Sequence, residues 1–221
     1  MIDDEEARAR FILSQTTRAP VAFVPELTLL QATAVTPLWH EAQDFLDRHD
    51  LEPPYWAFAW PGGVALARYI LDHPSEVRGR SVLDFGSGSG LVAIAAAIAG
   101  ARSVTAVERD VVGRTAIRLN ARAHSVELAV TDSPPEGPFE CYLGGDLFYE
   151  QEPAREFAGW FRARARRGAR VLVGDPGRAY APADFVLIEE VVVPTSPDLE
   201  STATMRARVM APAPSRSLTR P

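Results

Sequence analysis

Three glycines at alternate positions, Gly86, Gly88 and Gly90, constrain the fold of this chain more than any other feature. They follow the apolar stretch 81–85, which predicts a short buried strand, and precede the small apolar run 91–100, which predicts a helix that ends at a glycine. Alternating glycines predict a tight turn where the main chain approaches a ligand closely. Strand, glycine turn and helix N-terminus together predict a site for a nucleotide-like ligand at the edge of a parallel sheet.

The spacing of these glycines separates two kinds of nucleotide site. The dinucleotide pattern G-x-G-x-x-G requires a third glycine where this chain has Leu91. An acid, Asp84, lies instead inside the predicted strand, and a second acid, Glu108, ends the next apolar run. Glu108 can accept both hydrogens of a ribose diol, and Asp84 suits a ligand with a cationic end, since no pyrophosphate would be repelled. An ordinary strand–turn–helix, whose glycines serve only the turn, is the alternative interpretation.

This stretch resembles the S-adenosylmethionine site of the Rossmann-like methyltransferases. The resemblance implies that Asp84 lies near the aminocarboxypropyl end of the cofactor, beside Gly86 and Gly88, and that Glu108 binds the ribose. A further acid, Asp132, follows the next predicted strand, at the usual depth for a residue that contacts the adenine edge. A role in a turn explains Asp132 nearly as well.

Length and charge exclude several classes of protein. The 221 residues predict one domain with a substantial core, and the net charge of −6 argues against a surface that coats nucleic acid. The single cysteine, Cys141, excludes an internal disulfide and a cysteine-built zinc site, so no metal is predicted. No stretch reaches the length of a membrane span, and the acidic N-terminus fits neither a secretory signal nor a transit peptide. We predict a cytoplasmic monomer without nucleic-acid or membrane partners.

Three segments are predicted along the chain. Residues 1–52 form a helical and extended cover, 53–210 form the catalytic domain, and 211–221 form a disordered tail. The cover is predicted to contain a helix over 3–15, an extended edge segment over 20–30 and a helix that opens at Thr36.

A second informative motif follows the predicted strand 139–143, at the sheet edge where chemistry is placed. Its D-x-x-Y spacing puts the carboxylate of Asp146 and the phenol of Tyr149 beside a bound cofactor. Adenine and cytosine amino-methyltransferases carry an N/D-P-P-Y/F motif at this place. Leu147 and Phe148 replace those prolines here, which disfavours a nucleobase substrate.

Two turns supply the remaining candidate residues. Trp60 and Gly62 belong to the turn W-P-G-G, which precedes a helix predicted from position 64 and against which a planar or cationic group can rest. Asp175 and Arg178 flank a Pro-Gly turn after the fifth strand, near where a substrate would enter. A turn stabilised by its own salt bridge explains that pair about equally well.

Together these motifs resemble the lysine methyltransferases of the electron-transfer flavoprotein beta subunit. The matching segments are 54–57 with 60–63, 82–88, 145–149 and 171–178. The resemblance implies a Rossmann-like α/β fold: a seven-stranded, mostly parallel sheet with helices on both faces and an antiparallel last strand, in agreement with a hairpin predicted over 185–210. It also implies S-adenosylmethionine as cofactor and the flavoprotein beta subunit as substrate, in a bacterial member of the family.

In the predicted reaction Asp146 captures and orients the incoming ammonium, whose proton leaves to water, and Tyr149 helps to place the amine. Other hypotheses remain open. The substrate could be a ribosomal protein or another lysine-bearing protein, or the chain could be a regulatory module that binds the cofactor without catalysis. A nicotinamide oxidoreductase is disfavoured by Leu91.

Overall fold

A computed structural model describes residues 4–32 and 53–214, so the helix predicted to open at Thr36 lies outside the described residues. The strands are β1 (Thr16–Val21), β2 (Val24–Ala32), β3 (Ser81–Phe85), β4 (Ser103–Val107), β5 (Ala129–Thr131), β6 (Cys141–Gly145), β7 (Arg170–Asp175), β8 (Phe185–Pro194) and β9 (Thr204–Pro212). The helices are α1 (Glu5–Gln15), α2 (Pro61–Asp72), α3 (Leu91–Ile98), α4 (Val111–Ala123), α5 (Gln151–Arg166) and the short α6 (Pro197–Glu200). A short 3₁₀ turn spans Tyr55–Ala57.

A seven-stranded sheet in the order β5-β4-β3-β6-β7-β9-β8 organises the described residues. Strands β3 to β7 pair in parallel, whereas β9 runs antiparallel to both β7 and β8. From β3 the chain proceeds outward through β4 and β5 and then returns to pair β6 with the other side of β3. Such a reversal of strand order opens a crevice at the carboxyl ends of the strands, where ligands bind in sheets of this type.

Alternate residues of the central strands pack into two cores on opposite faces of the sheet. Val82 contacts the core that contains α2, α3 and part of α4, whereas its neighbour Leu83 contacts the core that contains α5. Helices therefore cover both faces, and the predicted α/β class with a mostly parallel seven-stranded sheet is confirmed.

The N-terminal segment matches its prediction only in part. Helix α1 begins as expected, with Asp4 accepting a hydrogen bond from the Ala7 amide at 2.7 Å. Residues 20–30 are largely extended, as predicted, but they belong to a separate antiparallel hairpin over 16–32 and not to an edge of the main sheet. Its turn places Phe23 at a φ of 71°, and Leu27 is buried against the main sheet's helices. The hairpin thus covers one face of the domain and adds no strand to the sheet edge.

The C-terminal hairpin of β8 and β9 is confirmed. Strand β9 continues to Pro212, slightly beyond the predicted domain end at 210, so the first residues of the predicted tail belong to the sheet. Residues 215–221 lie outside the described part of the chain. The division into three segments stays a prediction.

Helix α2 begins at Pro61, earlier than predicted, and its first turn lies directly against the ends of β6 and β7. A Cβ atom on Gly62 would lie 2.5 Å from the carbonyl oxygen of Gly174 and 2.9 Å from the amide nitrogen of Asp146. A Cβ on Gly63 would meet only a Val92 methyl group, at an ordinary 3.8 Å. Gly62 therefore allows the helix to approach the sheet edge within reach of Asp146.

Replacing Gly62 with alanine is expected to lower the free energy of unfolding by about 2 kcal/mol, because the new methyl group overlaps main-chain atoms that cannot move aside. Gly63→Ala is the matched control, since it adds the same methyl group to the same turn without a close contact. Urea denaturation of both variants measures the difference. Equal stabilities of the two variants would contradict the close approach.

Candidate active site

A cavity of about 410 Å³ opens at the carboxyl edge of the sheet, and we call it the active-site cavity. It brings together most of the site residues predicted from the sequence: Trp60, Gly86, Gly88, Glu108, Asp132, Asp146, Tyr149 and Arg178. Gly62, Asp84 and Asp175 do not line it. Its volume lies in the usual range for small-molecule sites, about 300–1,000 Å³.

The glycine turn is held against the end of β4. The amides of Gly86 and Ser87 both donate to the carbonyl of Val107 at 3.0 Å, which closes the turn over the strand end. The Gly88 amide donates to one carboxylate oxygen of Glu108 at 2.8 Å, and the Asp110 amide donates to the other at 3.0 Å. Each carboxylate oxygen can accept two hydrogen bonds, so Glu108 retains capacity for a diol in the cavity.

The left-handed backbone of the turn explains its glycines. Gly86 has a φ of 67° and Gly88 a φ of 52°, values that residues with a Cβ adopt only with strain. A Cβ on Gly86 would also lie 2.6 Å from a methyl group of Leu147, the residue that follows Asp146. The turn and the D-x-x-Y segment therefore pack directly against each other.

Asp84 lies beneath the turn and is almost completely buried, with 1% of its surface exposed. Neither carboxylate oxygen has a hydrogen-bond partner, since the nearby Ser87 hydroxyl donates to the main-chain carbonyl of Asp84 instead. Burial raises the pKa of Asp84 to about 7, and the charge of Glu108 acts in the same direction. The carboxyl group thus sits behind the cavity wall.

The stability of the protein is expected to fall as Asp84 ionises. Unfolding returns its pKa to an ordinary value near 4, so the native state binds the extra proton between about pH 4 and pH 7 and loses stability as the pH rises through that window. Asp84→Asn removes this loss. Its free energy of unfolding relative to wild type should therefore increase by about 2–3 kcal/mol from pH 5 to pH 8.

Urea denaturation of wild type and Asp84→Asn at both pH values measures this difference. Other raised carboxyl groups, such as Asp110, are present in both proteins, so their contributions cancel in the comparison. A stability difference that does not change with pH would contradict the assignment to Asp84.

The position of Asp146 is fixed by a left-handed backbone conformation and by two hydrogen bonds to its carboxylate. Its φ of 61° turns the chain sharply after β6, and its amide donates to the Gly174 carbonyl at 2.8 Å. One carboxylate oxygen accepts the Gly62 amide at 2.9 Å, and the other accepts Nε of Arg178 at 2.6 Å. Burial raises the pKa of Asp146, and the guanidinium of Arg178 opposes this effect. The carboxylate is therefore rigidly held at the cavity wall.

Arg178 joins Asp146 to a residue that the sequence did not predict. Its terminal nitrogens donate to both carboxylate oxygens of Glu200, at 3.1 and 2.6 Å, and its guanidinium lies 5.9 Å from the Trp60 ring centroid. Glu200 ends the short helix α6 between β8 and β9. Bidentate arginine–carboxylate pairs fix geometry well, so Glu200 sets the direction in which Arg178 reaches Asp146.

Three aromatic rings form part of the wall of the active-site cavity. The Tyr55 ring centroid lies 5.9 Å from that of Trp60 and 5.7 Å from that of Tyr149, and all three rings line the cavity. Tyr149 is 43% exposed, and partial burial raises its pKa to about 12. At neutral pH its phenol is therefore protonated and can donate or accept a hydrogen bond but cannot act as a base.

Asp175 and Asp132, the two remaining predicted site residues, form hydrogen bonds within loops. Asp175 accepts the amides of Gly177 and Arg178 at 2.7 and 2.9 Å, which shapes the Pro-Gly turn without an ion pair to the Arg178 guanidinium. The carboxylate of Asp132 accepts the Ser133 hydroxyl at 2.9 Å and lines the cavity beyond β5.

Known proteins similar to this chain share most of its length. The electron transfer flavoprotein beta subunit lysine methyltransferase of Xenopus laevis is 39% identical over 177 residues, which cover 76% of this chain and 70% of that protein. The chain belongs to this lysine methyltransferase family. The mouse member is also 39% identical, over 163 residues and 71% of this chain, and the match spans 63% of the length of the mouse protein.

Part of the chain is also similar to a second group of methyltransferases. The model of the ribosomal protein L11 methyltransferase (PrmA) family matches residues 66–138. The crystal structure of the ribosomal protein L11 methylase from Lactobacillus delbrueckii subsp. bulgaricus superimposes with a TM-score of 0.51 at 20% identity, over 74% of this chain and 84% of that one. This similarity supports the Rossmann-like fold. Among the described helices, none has the length and apolarity required to cross a membrane.

Proposed function

We propose that this protein transfers a methyl group from S-adenosylmethionine to a lysine side chain of the electron transfer flavoprotein beta subunit. One observation carries the proposal: Glu108 and Asp146 line the same cavity, one beside the glycine turn and the other beside an aromatic wall. The first provides a place for a ribose, and the second provides a place for an ammonium group. The family's name supports the choice of protein substrate.

The residues present fit S-adenosylmethionine. Glu108 holds two main-chain amides and still has free lone pairs toward the cavity, which a ribose diol requires. The turn at Gly86 and Gly88 brings main chain, not side chains, to the cavity wall. We propose that Trp60 contacts the cofactor directly and that Asp132 lies at its adenine end, whereas Asp84 and Gly62 act from behind the wall.

The chain's own residues then orient the amine. When bound, S-adenosylmethionine would supply a sulfonium methyl group, whose carbon an uncharged amine can attack in line while the C–S bond breaks and the neutral thioether leaves. Asp146 attracts the lysine ammonium. The aromatic wall removes water from the ammonium group, and this desolvation favours loss of a proton from the ammonium to solvent before transfer. Tyr149 offers its phenol oxygen to the amine, and Arg178 fixes the carboxylate. Alignment of this kind lowers barriers by several kcal/mol, up to about 7–11 in ideal cases.

A second candidate substrate is ribosomal protein L11, because the L11 methyltransferase model matches the cofactor half of the chain. The L11 match ends before Asp146 and Arg178, whereas the flavoprotein methyltransferase of Xenopus laevis aligns with 76% of the chain. The flavoprotein beta subunit is therefore the preferred substrate. Monomeric state, cytoplasmic location and the absence of nucleic-acid and membrane partners stay predictions.

Labelled methyl transfer tests the proposal. The purified protein is incubated with methyl-labelled S-adenosylmethionine and either the flavoprotein beta subunit or L11, and the products are digested and analysed by mass spectrometry. Label on a lysine of the beta subunit supports the proposal, and label on L11 alone favours the second substrate. Cofactor binding without transfer to either protein would identify a binding module without catalysis.

A further inference from the structure

A second, larger depression of about 1060 Å³ lies at the amino edge of the sheet, away from the active-site cavity. Four arginines line it, and we call it the basic pocket: Arg80, Arg164, Arg167 and Arg170. Two glutamates, Glu136 and Glu140, also line it. Because the whole chain carries a net charge of −6, this excess of positive charge is local.

The pairing of the strands shows which residues form the base of the basic pocket. Glu140 immediately precedes β6, and its amide donates to the Ser81 carbonyl while its carbonyl accepts the Arg170 amide. The starts of β3, β6 and β7 are thus side by side, with Arg80 directly before β3 and Arg170 at the first position of β7. Arg164 and Arg167 come from the last turn of α5 and the residue after it.

The four arginines differ in how far their charge is already neutralised. Arg170 pairs with Glu76 through two contacts of 2.7 and 3.0 Å, and Arg164 stacks 4.0 Å from the centroid of the Trp160 ring. Arg80 and Arg167 form no ion pair within 4.0 Å in the described part of the chain, although the charge of Arg80 contributes, after Arg170, to lowering the pKa of Glu76. Arginines at the C-terminus of a helix favour its dipole, but Arg80 lies outside every helix, so the dipole does not explain the cluster.

One face of α5 contributes residues to both the active-site cavity and the basic pocket. Pro153 and Phe157 line the active-site cavity, and Arg164, seven residues after Phe157 on the same face, lines the basic pocket. Phe157 and Arg164 are about two turns, or roughly 10 Å, apart. Pro134, in the loop beside α5, lines both cavities.

We propose that the basic pocket binds a carboxylate-rich segment of the protein substrate while the target lysine occupies the active-site cavity. This inference rests on the proposed lysine methylation of a protein. Guanidinium groups pair with carboxylates in a bidentate manner, and Arg80 and Arg167 have that capacity unused. Asp146 lies six positions along the chain from Glu140, which is level with Arg80 and Arg170, so the two sites are about 20 Å apart. The acidic residues are therefore expected at least about six residues of extended chain from the lysine.

Binding of a fluorescent oligoglutamate peptide, measured by anisotropy at low salt, tests the pocket without any catalysis. The variant Arg80→Glu/Arg167→Glu should lose this binding. The control Arg155→Glu/Arg166→Glu changes the net charge equally at two exposed arginines of α5 outside the pocket and should retain it. The milder pair Arg167→Gln and Arg166→Gln repeats the comparison if the reversed charges impair folding, which thermal unfolding would reveal.

Kinetics with the beta subunit complete the test. The pocket variant should raise KM for the protein substrate by about tenfold with little change in kcat and in cofactor binding, whereas the control should change neither. Oligoglutamate that binds wild type and the pocket variant equally, or a pocket that takes inorganic phosphate and not the peptide, would overturn the inference. If the protein binds the peptide but methylates no lysine, the proposed function is refuted, whereas binding of carboxylate-rich segments by the basic pocket is still supported.

Discussion

Replacing Asp146 with asparagine is expected to lower kcat/KM for lysine methylation by about a thousandfold while the affinity for the cofactor changes little. Asparagine tolerates the left-handed backbone at this position, where φ is 61°, and it can still accept the Gly62 amide. It removes the negative charge that attracts the ammonium in the proposed reaction, and its amide group would face Nε of Arg178 in place of the carboxylate oxygen. The variant therefore removes the negative charge at position 146 and keeps the size of the side chain.

Labelled methyl transfer measures the loss of activity, and calorimetry with S-adenosylhomocysteine measures binding of the cofactor product. Asp184→Asn serves as the control, because it makes the same chemical change at a surface carboxylate that pairs with Arg162. The control should keep full activity. An Asp146→Asn variant with normal turnover would remove Asp146 from the proposed mechanism.

The parts of the fold that depend on neighbours in sequence were predictable. The strand before Gly86, the turn and the helix after Gly90 follow from an apolar run, from glycines that adopt positive φ and from small apolar residues, all of them local signals. The hairpin of β8 and β9 follows from two β-rich stretches separated by a short loop. Each of these signals acts over a few residues, and the corresponding element has the predicted structure in the folded protein.

Contacts between distant segments were not predictable. Glu200 reaches Arg178 only because the connection between β8 and β9 passes over the end of β7, and no local pattern marks a glutamate in that connection. The sequence predicts Gly62 in a turn against which a planar or cationic group can rest, but it does not predict that the Gly62 amide donates to Asp146 or that a Cβ there would overlap Gly174. Both roles arise from packing across the sheet edge, which sequence spacing does not encode.

The N-terminal hairpin is a second case in which contacts with distant segments were not predictable from the sequence. Its residues are buried against helices that are distant in sequence, so the sequence predicts extended structure over 20–30 but not the pairing of β1 with β2. In the structure Pro25 lies outside the paired positions of the hairpin, and the missing amide costs no ladder hydrogen bond.

Replacing Glu108 with glutamine is expected to weaken cofactor binding by about a hundredfold. The carboxylate now accepts the amides of Gly88 and Asp110 and, in the proposed complex, both hydroxyl groups of the ribose. Glutamine keeps the size of the side chain but offers one acceptor oxygen, so its amide group must face either a main-chain amide or a hydroxyl that had donated. The loss of charge-assisted hydrogen bonds, each contributing about 1.5–3 kcal/mol, accounts for the size of the effect.

Calorimetry with S-adenosylmethionine measures this change, and Glu127→Gln provides the control, since it alters an exposed glutamate outside the cavity. The affinity should fall in Glu108→Gln alone. Methyl transfer at saturating cofactor should recover most of the wild-type rate, because in the proposed complex Glu108 contacts the donor and not the amine. A turnover that stays low at saturation would instead place Glu108 in the transfer step, whereas an unchanged affinity would mean that the ribose lies elsewhere in the cavity.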